Sequence, residues 1–264
     1  MSLANAPFLL SYNIAPEVAA FSTLRHGGGR SLGAYGEMNI NPFCGDDAEA
    51  VKANRALLAE ALGLSARDIV LPHQVHDTQV YVVGDEYIAA DEAERARLID
   101  GIDALVTTQT GLCIGVSTAD CVPVILYDTH LRVAAAVHAG WRGTVARIVS
   151  KTLAVMATNF GSQPQDIKAV IGPSISQVAF EVGDEVYDHF CAQGFPMSAI
   201  ATKIHSRWHI DLWKANELQL TSFGIPLPNI HTTNICTHTR HDEFFSARRL
   251  SINSGRIYTG ITIL

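Results

Sequence analysis

The reactive side chains of this sequence gather in three short stretches. "PHQVH" carries His73 and His76, "STADCVPV" carries Asp120 and Cys121, and "AVHAGWRGTVARI" (residues 136–148) carries His138. Thiol, imidazole and carboxylate are the groups that do acid–base, nucleophilic and metal chemistry, and each stretch lies at the end of a β-rich run. Residues 122–127 and 133–137 read as a hairpin that turns at 128–130. The open end of a hairpin holds its two chains within roughly 5 Å. Cys121 and His138 are therefore expected to be neighbours.

Such a couple has three readings. The imidazole can hold the thiol as a thiolate for nucleophilic attack. The pair can be two ligands of a metal, with His76 as the third. Or Cys121 can be an inert buried thiol beside a hydrogen-bonded histidine. Asp120 beside the thiol and the turn Gly140-Trp141-Arg142-Gly143 weigh against the inert reading. The residues alone leave metal and nucleophile open.

Two stretches offer cations to an anion. Arg142 lies one residue before Gly143 and the start of a helix, where free N–H groups and the helix dipole attract negative charge and a guanidinium adds to the pull. The alternative is a surface arginine beside a packed tryptophan. "LRHGGGRS", residues 24–31, is a second glycine turn, with Arg25 and Arg30. It lacks both the GxGxxG and the GxxxxGK[ST] phosphate patterns and reads first as a flexible loop.

Around these stretches the elements form a mixture. A helix follows Gly45-Asp46-Asp47, either acid able to cap it, with Val51, Leu57, Leu58 and Leu62 on its apolar face. Short strands are expected at 69–71, 79–83, 104–107, 112–117, 122–127 and 133–137. Then come a helix at 144–160, a strand at 169–171, helices near 184–191 and 211–223, and strands at 230–233 and 257–263. Strands outnumber crossover helices, which argues against a regular doubly wound sheet. An α+β mixed-sheet layered sandwich in one domain, residues 1–264, fits better.

Composition narrows the function classes. The chain has 264 residues, 48% apolar and 17% charged, with a net charge of −7. Lys and Arg are spread singly, so no nucleic-acid groove is expected. No run approaches the roughly 20 apolar residues of a membrane helix. The stretch MSLANAPFLLSYNI lacks the features of a secretory leader. Five scattered cysteines without CxxC indicate reduced thiols and a cytoplasmic location.

The motifs "RHGGGRS…YGEMNI…CGDD", "HQVH", "IDALVTTQTG", "STADCVPV", "VHAGWRG", "IGPSI", "FEVGDEV" and "CTHTRHDEFFSARR…SGR" occur in that order. This succession resembles the YfiH-type laccase-domain proteins, also called multicopper polyphenol oxidoreductases and purine nucleoside phosphorylases. It covers residues 21 to 263, and "ADC" followed by "HAGWRG" at this distance is its most specific part. The resemblance implies an α/β/β/α layered fold, a monomer, and a metal, commonly zinc, held by His76, Cys121 and His138. Two departures stand out. Phe43-Cys44 replaces a histidine often found before the Gly-Asp-Asp stretch, and "GPSISQVAFEV" replaces a cysteine-rich segment.

The family's names disagree, and ligand arithmetic arbitrates. A multicopper oxidase needs an array of imidazoles, many in His-x-His pairs, besides its thiolate. This chain has eleven histidines and no His-x-His. One three-ligand site is what the sequence supports, for zinc or for a substituting copper. Three ligands leave a fourth position for an activated water, suited to deaminating adenosine. The resemblance adds phosphorolysis of adenosine, inosine and methylthioadenosine with inorganic phosphate as co-substrate. Arg25, Asn39, Arg142 and Arg248 are the candidate substrate-binding residues, with Arg249 a further cation, and Asp120 a candidate to act on base or ribose. Rival readings are copper-dependent phenol oxidation, a Cys121–His138 amide hydrolase of peptidoglycan editing, and a non-catalytic metal-stabilised binding partner. Of the five thiols only Cys121 is expected to be required.

Overall fold

Strands buried on both faces build the two main sheets, which is why they read as continuous apolar runs rather than as alternating ones. The computed structural model describes Ala6 and residues 8–264; residues 1–5 and Pro7, part of the stretch expected to lack a leader, lie outside the described residues. A six-stranded sheet runs, in spatial order, Ile230–Thr232, Ile167–Ile171, Val122–Asp128, Val133–Ala139, Ala104–Thr107 and Val80–Val82. A five-stranded sheet runs Leu9–Tyr12, Val18–Thr23, Ile257–Ile263, Cys113–Thr118 and Ile69–Val70. Parallel and antiparallel pairings occur in both.

The alternation of side chains assigns each face. Ile125, Tyr127, Ala134 and Ala136 point from the six-stranded sheet onto Ala20, Ile114, Val116 and Ile261 of the other. Their neighbours Val124, Leu126, Val133 and Val137 point the opposite way, onto Ile148, Val149, Leu153 and Met156 of the helix Ile148–Phe160 and Leu220 of the helix Leu212–Phe223. On the outer face of the five-stranded sheet, Phe21, Cys113 and Tyr258 receive Leu58 and Leu62 of the helix Ala48–Leu62. Helix, sheet, sheet, helix is the α/β/β/α order expected. Asp47 caps the Ala48–Leu62 helix by accepting the Ala50 N–H at 2.8 Å.

Several expectations need correction. Residues 144–160 are not one helix: Trp141–Val145 and Ile148–Phe160 are separated by Arg147, whose φ of 64° breaks the ladder. The helix accordingly starts earlier than expected, with Gly140 as the N-cap of Trp141–Val145, so that Arg142 lies within its first turn. Strands at Leu9–Tyr12 and Val18–Thr23 were not foreseen. Nor was the small sheet in which Arg207–Ile210 lies between Glu181–Val182 and Ala201–Ile204. That sheet carries exposed polar positions and stands outside both main layers, so no apolar period marked it.

The hairpin extends one residue further at its turn than expected. Asp128 pairs with Val133, and its carboxylate accepts the N–H groups of His130 and Leu131 at 2.9 Å each. At the other end Pro123 pairs with His138 and Val122 with Ala139. Cys121 therefore leaves the sheet beside His138, as the pairing argument requires.

Candidate metal centre and its cavity

His76, Cys121 and His138 converge: one ligand atom from each lies within 4.8 Å of the others. The two imidazole rings meet edge to face, 4.8 Å between centroids. His138 is 3% exposed, Cys121 is half-buried and His76 faces solvent. The cluster is thus closed on its hairpin side and open on its loop side.

Asp103, fully buried just before the strand Ala104–Thr107, holds this arrangement. Its Oδ1 lies 2.6 Å from His138 Nδ1. The same carboxylate accepts the N–H groups of Val75, His76 and Asp77 at 3.2, 3.1 and 2.9 Å. One carboxylate thereby fixes the ring of one histidine and the loop of another, the loop in which His76 takes a left-handed φ of 63°. With Nδ1 engaged by Asp103, Nε2 is the ring nitrogen that faces Cys121, which is how a carboxylate orients a metal-bound histidine.

The electrostatics follow from this packing. Burial alone pushes the Cys121 thiol up, but His138 and His76 outweigh it and bring the thiol down to about 6. Burial disfavours a charged His138, yet the neighbouring thiolate and Asp103 raise it to about 9. Burial likewise works against an ionised Asp103, but its bonds to His138 and to the loop N–H groups keep its carboxyl below the usual range. A thiolate and two imidazoles, one already buttressed, form a donor set that suits zinc or copper. Gly140 completes the fit. A Cβ there would stand 3.0 Å from Cys121 Sγ and 3.2 Å from His76 Cδ2, so only glycine leaves the ligands room.

The cluster forms one wall of a cavity of about 200 Å³ lined also by Phe43, Cys44, His73, Gln74, Ser117, Thr118 and Arg256. His73 sits on the rim; it bonds Asp100 at 2.7 Å and its ring lies 4.6 Å from that of Phe43. Cys44, expected to be unconnected, lines the same cavity as Cys121. The departure Phe43-Cys44 thus falls on the cavity wall.

The other candidates lie elsewhere. Asp120, adjacent to Cys121, takes a left-handed φ of 87°; its carboxylate accepts the Thr237 hydroxyl and the Arg248 N–H, both at 2.7 Å. The Arg248 guanidinium donates to the Glu181 carbonyl and lies over Phe180. Arg142 is exposed and stacks on Trp141, its guanidinium carbon 4.4 Å from the ring centre. Arg25 donates to the carbonyls of Gly36 and His241 at 2.9 and 2.8 Å. Asn39 is buried and accepts the Arg256 N–H at 3.0 Å. None of these five lines the cavity. Asp103, Gln74 and Arg256 escaped the sequence reading, the last although it ends the "SGR" motif.

A buried His138 and a half-buried Cys121 beside a solvent-facing His76, on a four-layer α+β sandwich, define a class of protein with one candidate three-ligand metal centre; among the described residues no other such cluster occurs. The family described as multi-copper polyphenol oxidoreductase laccase matches residues 19–264, and the chain belongs to that family of enzymes. It is 47% identical over 248 residues to a purine nucleoside phosphorylase of Bacteroides thetaiotaomicron, covering 93% of this chain and 92% of that protein. It is 43% identical to "Adenosine deaminase RL5" from an unknown prokaryotic organism, covering 92% and 93%. The crystal structure of YlmD from Geobacillus stearothermophilus superposes with a TM-score of 0.91 at 30% identity, covering 98% of this chain and 97% of that one.

Proposed function

We propose that this protein is a zinc-dependent purine nucleoside phosphorylase acting on adenosine, inosine and methylthioadenosine, and that it also deaminates adenosine. The observation that carries the reading is the convergence of His76, Cys121 and His138 on one small cavity, with Asp103 fixing the buried pair. Relatives named for both activities support it. His76, Cys121 and His138 would hold the ion. Zinc with three protein ligands supplies a Lewis acid and a water activated near neutral pH. Copper suits the same donors, and phenol oxidation is the reaction expected of copper-loaded protein.

In phosphorolysis a phosphate oxygen bonds to the anomeric carbon as the N-glycosidic bond breaks. The bond's electron pair leaves with the purine, which takes up the proton that phosphate loses. In deamination, water replaces the 6-amino group and ammonia leaves. The chain's contribution is orientation. Asp103 keeps a proton on His138 Nδ1, and Asp120, with both oxygens engaged, locks the backbone that presents Cys121. Asp120 is thus a positioning residue. The protein is taken to work as a cytoplasmic monomer on small molecules; among the described residues no helix is long and apolar enough to cross a membrane.

The Cys121–His138–Asp103 succession favours a second reading, a cysteine hydrolase of peptidoglycan editing, because a carboxylate-oriented imidazole beside a lowered thiol is also how nucleophiles are activated. Two measurements separate the readings. Elemental analysis should find about one zinc per chain, lost when His76, Cys121 or His138 becomes Ala. Adenosine with phosphate should yield adenine and inosine, and the same three variants should yield neither. Several coppers per chain, or full metal in Cys121→Ala, removes the proposed ligand set. If metal-loaded wild type forms neither product, the hydrolase reading replaces it.

A further inference from the structure

Phosphorolysis needs an anion subsite, and the cations that looked suited to it do not line the cavity. Arg25 is tied to two carbonyls and Arg142 to a tryptophan face. In the glycine turn, the N–H groups of Gly27 and Gly28 already donate to Glu37 at 3.0 and 2.9 Å. Arg256, the residue before the strand Ile257–Ile263, does line the cavity. Its Nη1 donates to the carbonyls of Ser254 and Gly255 and its Nη2 to that of Ile252, which leaves Nε–H and one Nη2–H without a partner among the described residues. It makes no ion pair among the described residues, and its backbone N–H is accepted by Asn39.

A second observation points to the same place. Ser117 and Thr118, at the end of the strand Cys113–Thr118, line the cavity and are 5% and 1% exposed. Their hydroxyl oxygens have no hydrogen-bond partner among the described residues. Gln74 takes the backbone of Ser117 instead, accepting its N–H at 2.7 Å and donating to its carbonyl at 2.9 Å. Buried hydroxyls usually find a partner, and a ligand oxygen would supply one here; five other buried side-chain atoms of the described residues, outside this cavity, are likewise without one. No Asp or Glu lines the cavity.

We propose that Arg256, together with the hydroxyl of Ser117, forms the oxyanion subsite that receives inorganic phosphate beside the His76–Cys121–His138 cluster. The inference rests on the phosphorolytic reading for its substrate, but the anion site itself can be tested without turnover. Ser117 pairs with Tyr258 and so lies on the same face of the strands as Arg256, whereas Thr118 points to the opposite face. A guanidinium fork and a hydroxyl donor match the oxygens of a phosphate dianion. The subsite also explains why a buried asparagine far along the chain holds the Arg256 backbone.

The test uses metal-loaded wild type, Arg256→Ala, Arg256→Lys, Ser117→Ala and Thr118→Val. Adenine formation is followed across a phosphate titration, and binding of inorganic phosphate is measured separately by calorimetry. Arg256→Ala should raise the phosphate KM and weaken calorimetric binding about ten- to a hundred-fold, with a far smaller change in nucleoside KM. Arg256→Lys should recover part of the loss, since it keeps the charge without the fork. Ser117→Ala should weaken phosphate several-fold, which keeps the proposal testable if Arg256→Ala fails to fold, while Thr118→Val, on the opposite face of the strand, should bind phosphate as wild type does. Unchanged phosphate affinity in the Arg256 and Ser117 variants, or an equal rise in nucleoside and phosphate KM, would overturn it. Should wild type bind phosphate through Arg256 yet form no adenine, the subsite stands and the phosphorolytic reading falls. Should wild type not bind phosphate at all, the subsite falls.

Discussion

The open end of the 122–139 hairpin and the glycine turn at residues 24–31 carry similar parts: small residues, a histidine, an arginine and a nearby carboxylate gathering backbone N–H groups. In the turn, Glu37 accepts from Gly27 and Gly28 and lies 3.3 Å from His26 Nδ1. Arg25 gives its donors to loop carbonyls. Donors and acceptors cancel, and the turn closes on itself. At the hairpin, Asp103 likewise gathers three N–H groups and a histidine nitrogen, but the bonding ends with Nε2 of His138, the Cys121 thiol and the His76 ring all facing one opening. The two regions differ in what is left unspent. A binding site is the place where locally satisfied structure holds reactive groups in surplus.

Three substitutions probe that difference. The largest effect is expected from Asp103→Asn. Asparagine has one acceptor oxygen where Asp103 serves four donors, so either the 75–77 loop or His138 loses its anchor. Zinc affinity, followed by competition with a chelator, should fall about 10- to 100-fold, and the melting temperature should drop as buried donors go unpaired. Wild-type zinc affinity in this variant would show that the ligands orient themselves and that the carboxylate matters only for folding.

Gly140→Ala sharpens the comparison from the steric side. With φ at −62° and ψ at 170°, the backbone accepts alanine without strain. The added Cβ meets Cys121 Sγ and His76 Cδ2 at 3.0 and 3.2 Å. Crowding of this kind costs about 1–3 kcal/mol, here taken mainly from the metal-bound state, so zinc should bind about tenfold more weakly while the apo protein melts close to wild type. A variant that binds zinc normally would mean that the loop carrying His76 yields.

The smallest effect belongs to the closed turn. The N–H groups of Gly28 and Gly27 hold the Glu37 carboxyl below the usual glutamate range. A carboxyl depressed in the folded state stabilises the protein above its unfolded pKa, roughly 4.3. That contribution is lost as pH falls through the lower folded value. Glu37→Gln should therefore flatten the acid side of the stability–pH curve slightly, the site being exposed, and leave metal content and turnover at wild-type levels. Loss of metal in Glu37→Gln would show that the two regions are coupled after all.

Much of this was legible because local patterns were strong. The helix after Asp47, the 122–139 hairpin and the final strand Ile257–Ile263 follow from capping, pairing and apolar runs that tertiary packing only reinforced. The strands before residue 24 were missed because Val18–Thr23 is a short run buried on both faces, without a clear period. The break at Arg147 was missed because its left-handed backbone is carried by a residue that ordinarily continues a helix. The convergence of Cys121 with His138 was readable because antiparallel pairing converts sequence position into distance. His76 joined them through family resemblance and not through spacing.

The sequence by itself determined the layered α+β class and the hairpin that brings Cys121 to His138, since each rests on residue type, short-range period or pairing, while family resemblance set His76 beside them as a candidate ligand. Only the tertiary structure decided which charges serve the site. Asp103 reaches His138 from a neighbouring strand of the same sheet, and Arg256 and Ser117 arrive from the opposing five-stranded sheet. Arg25, Arg142 and Arg248 engage carbonyls and aromatic faces elsewhere, and none of them lines the cavity. Whether a donor is spent or free depends on every group that packs within about 3 Å of it. In this fold those groups come from distant parts of the chain, beyond the reach of any local pattern.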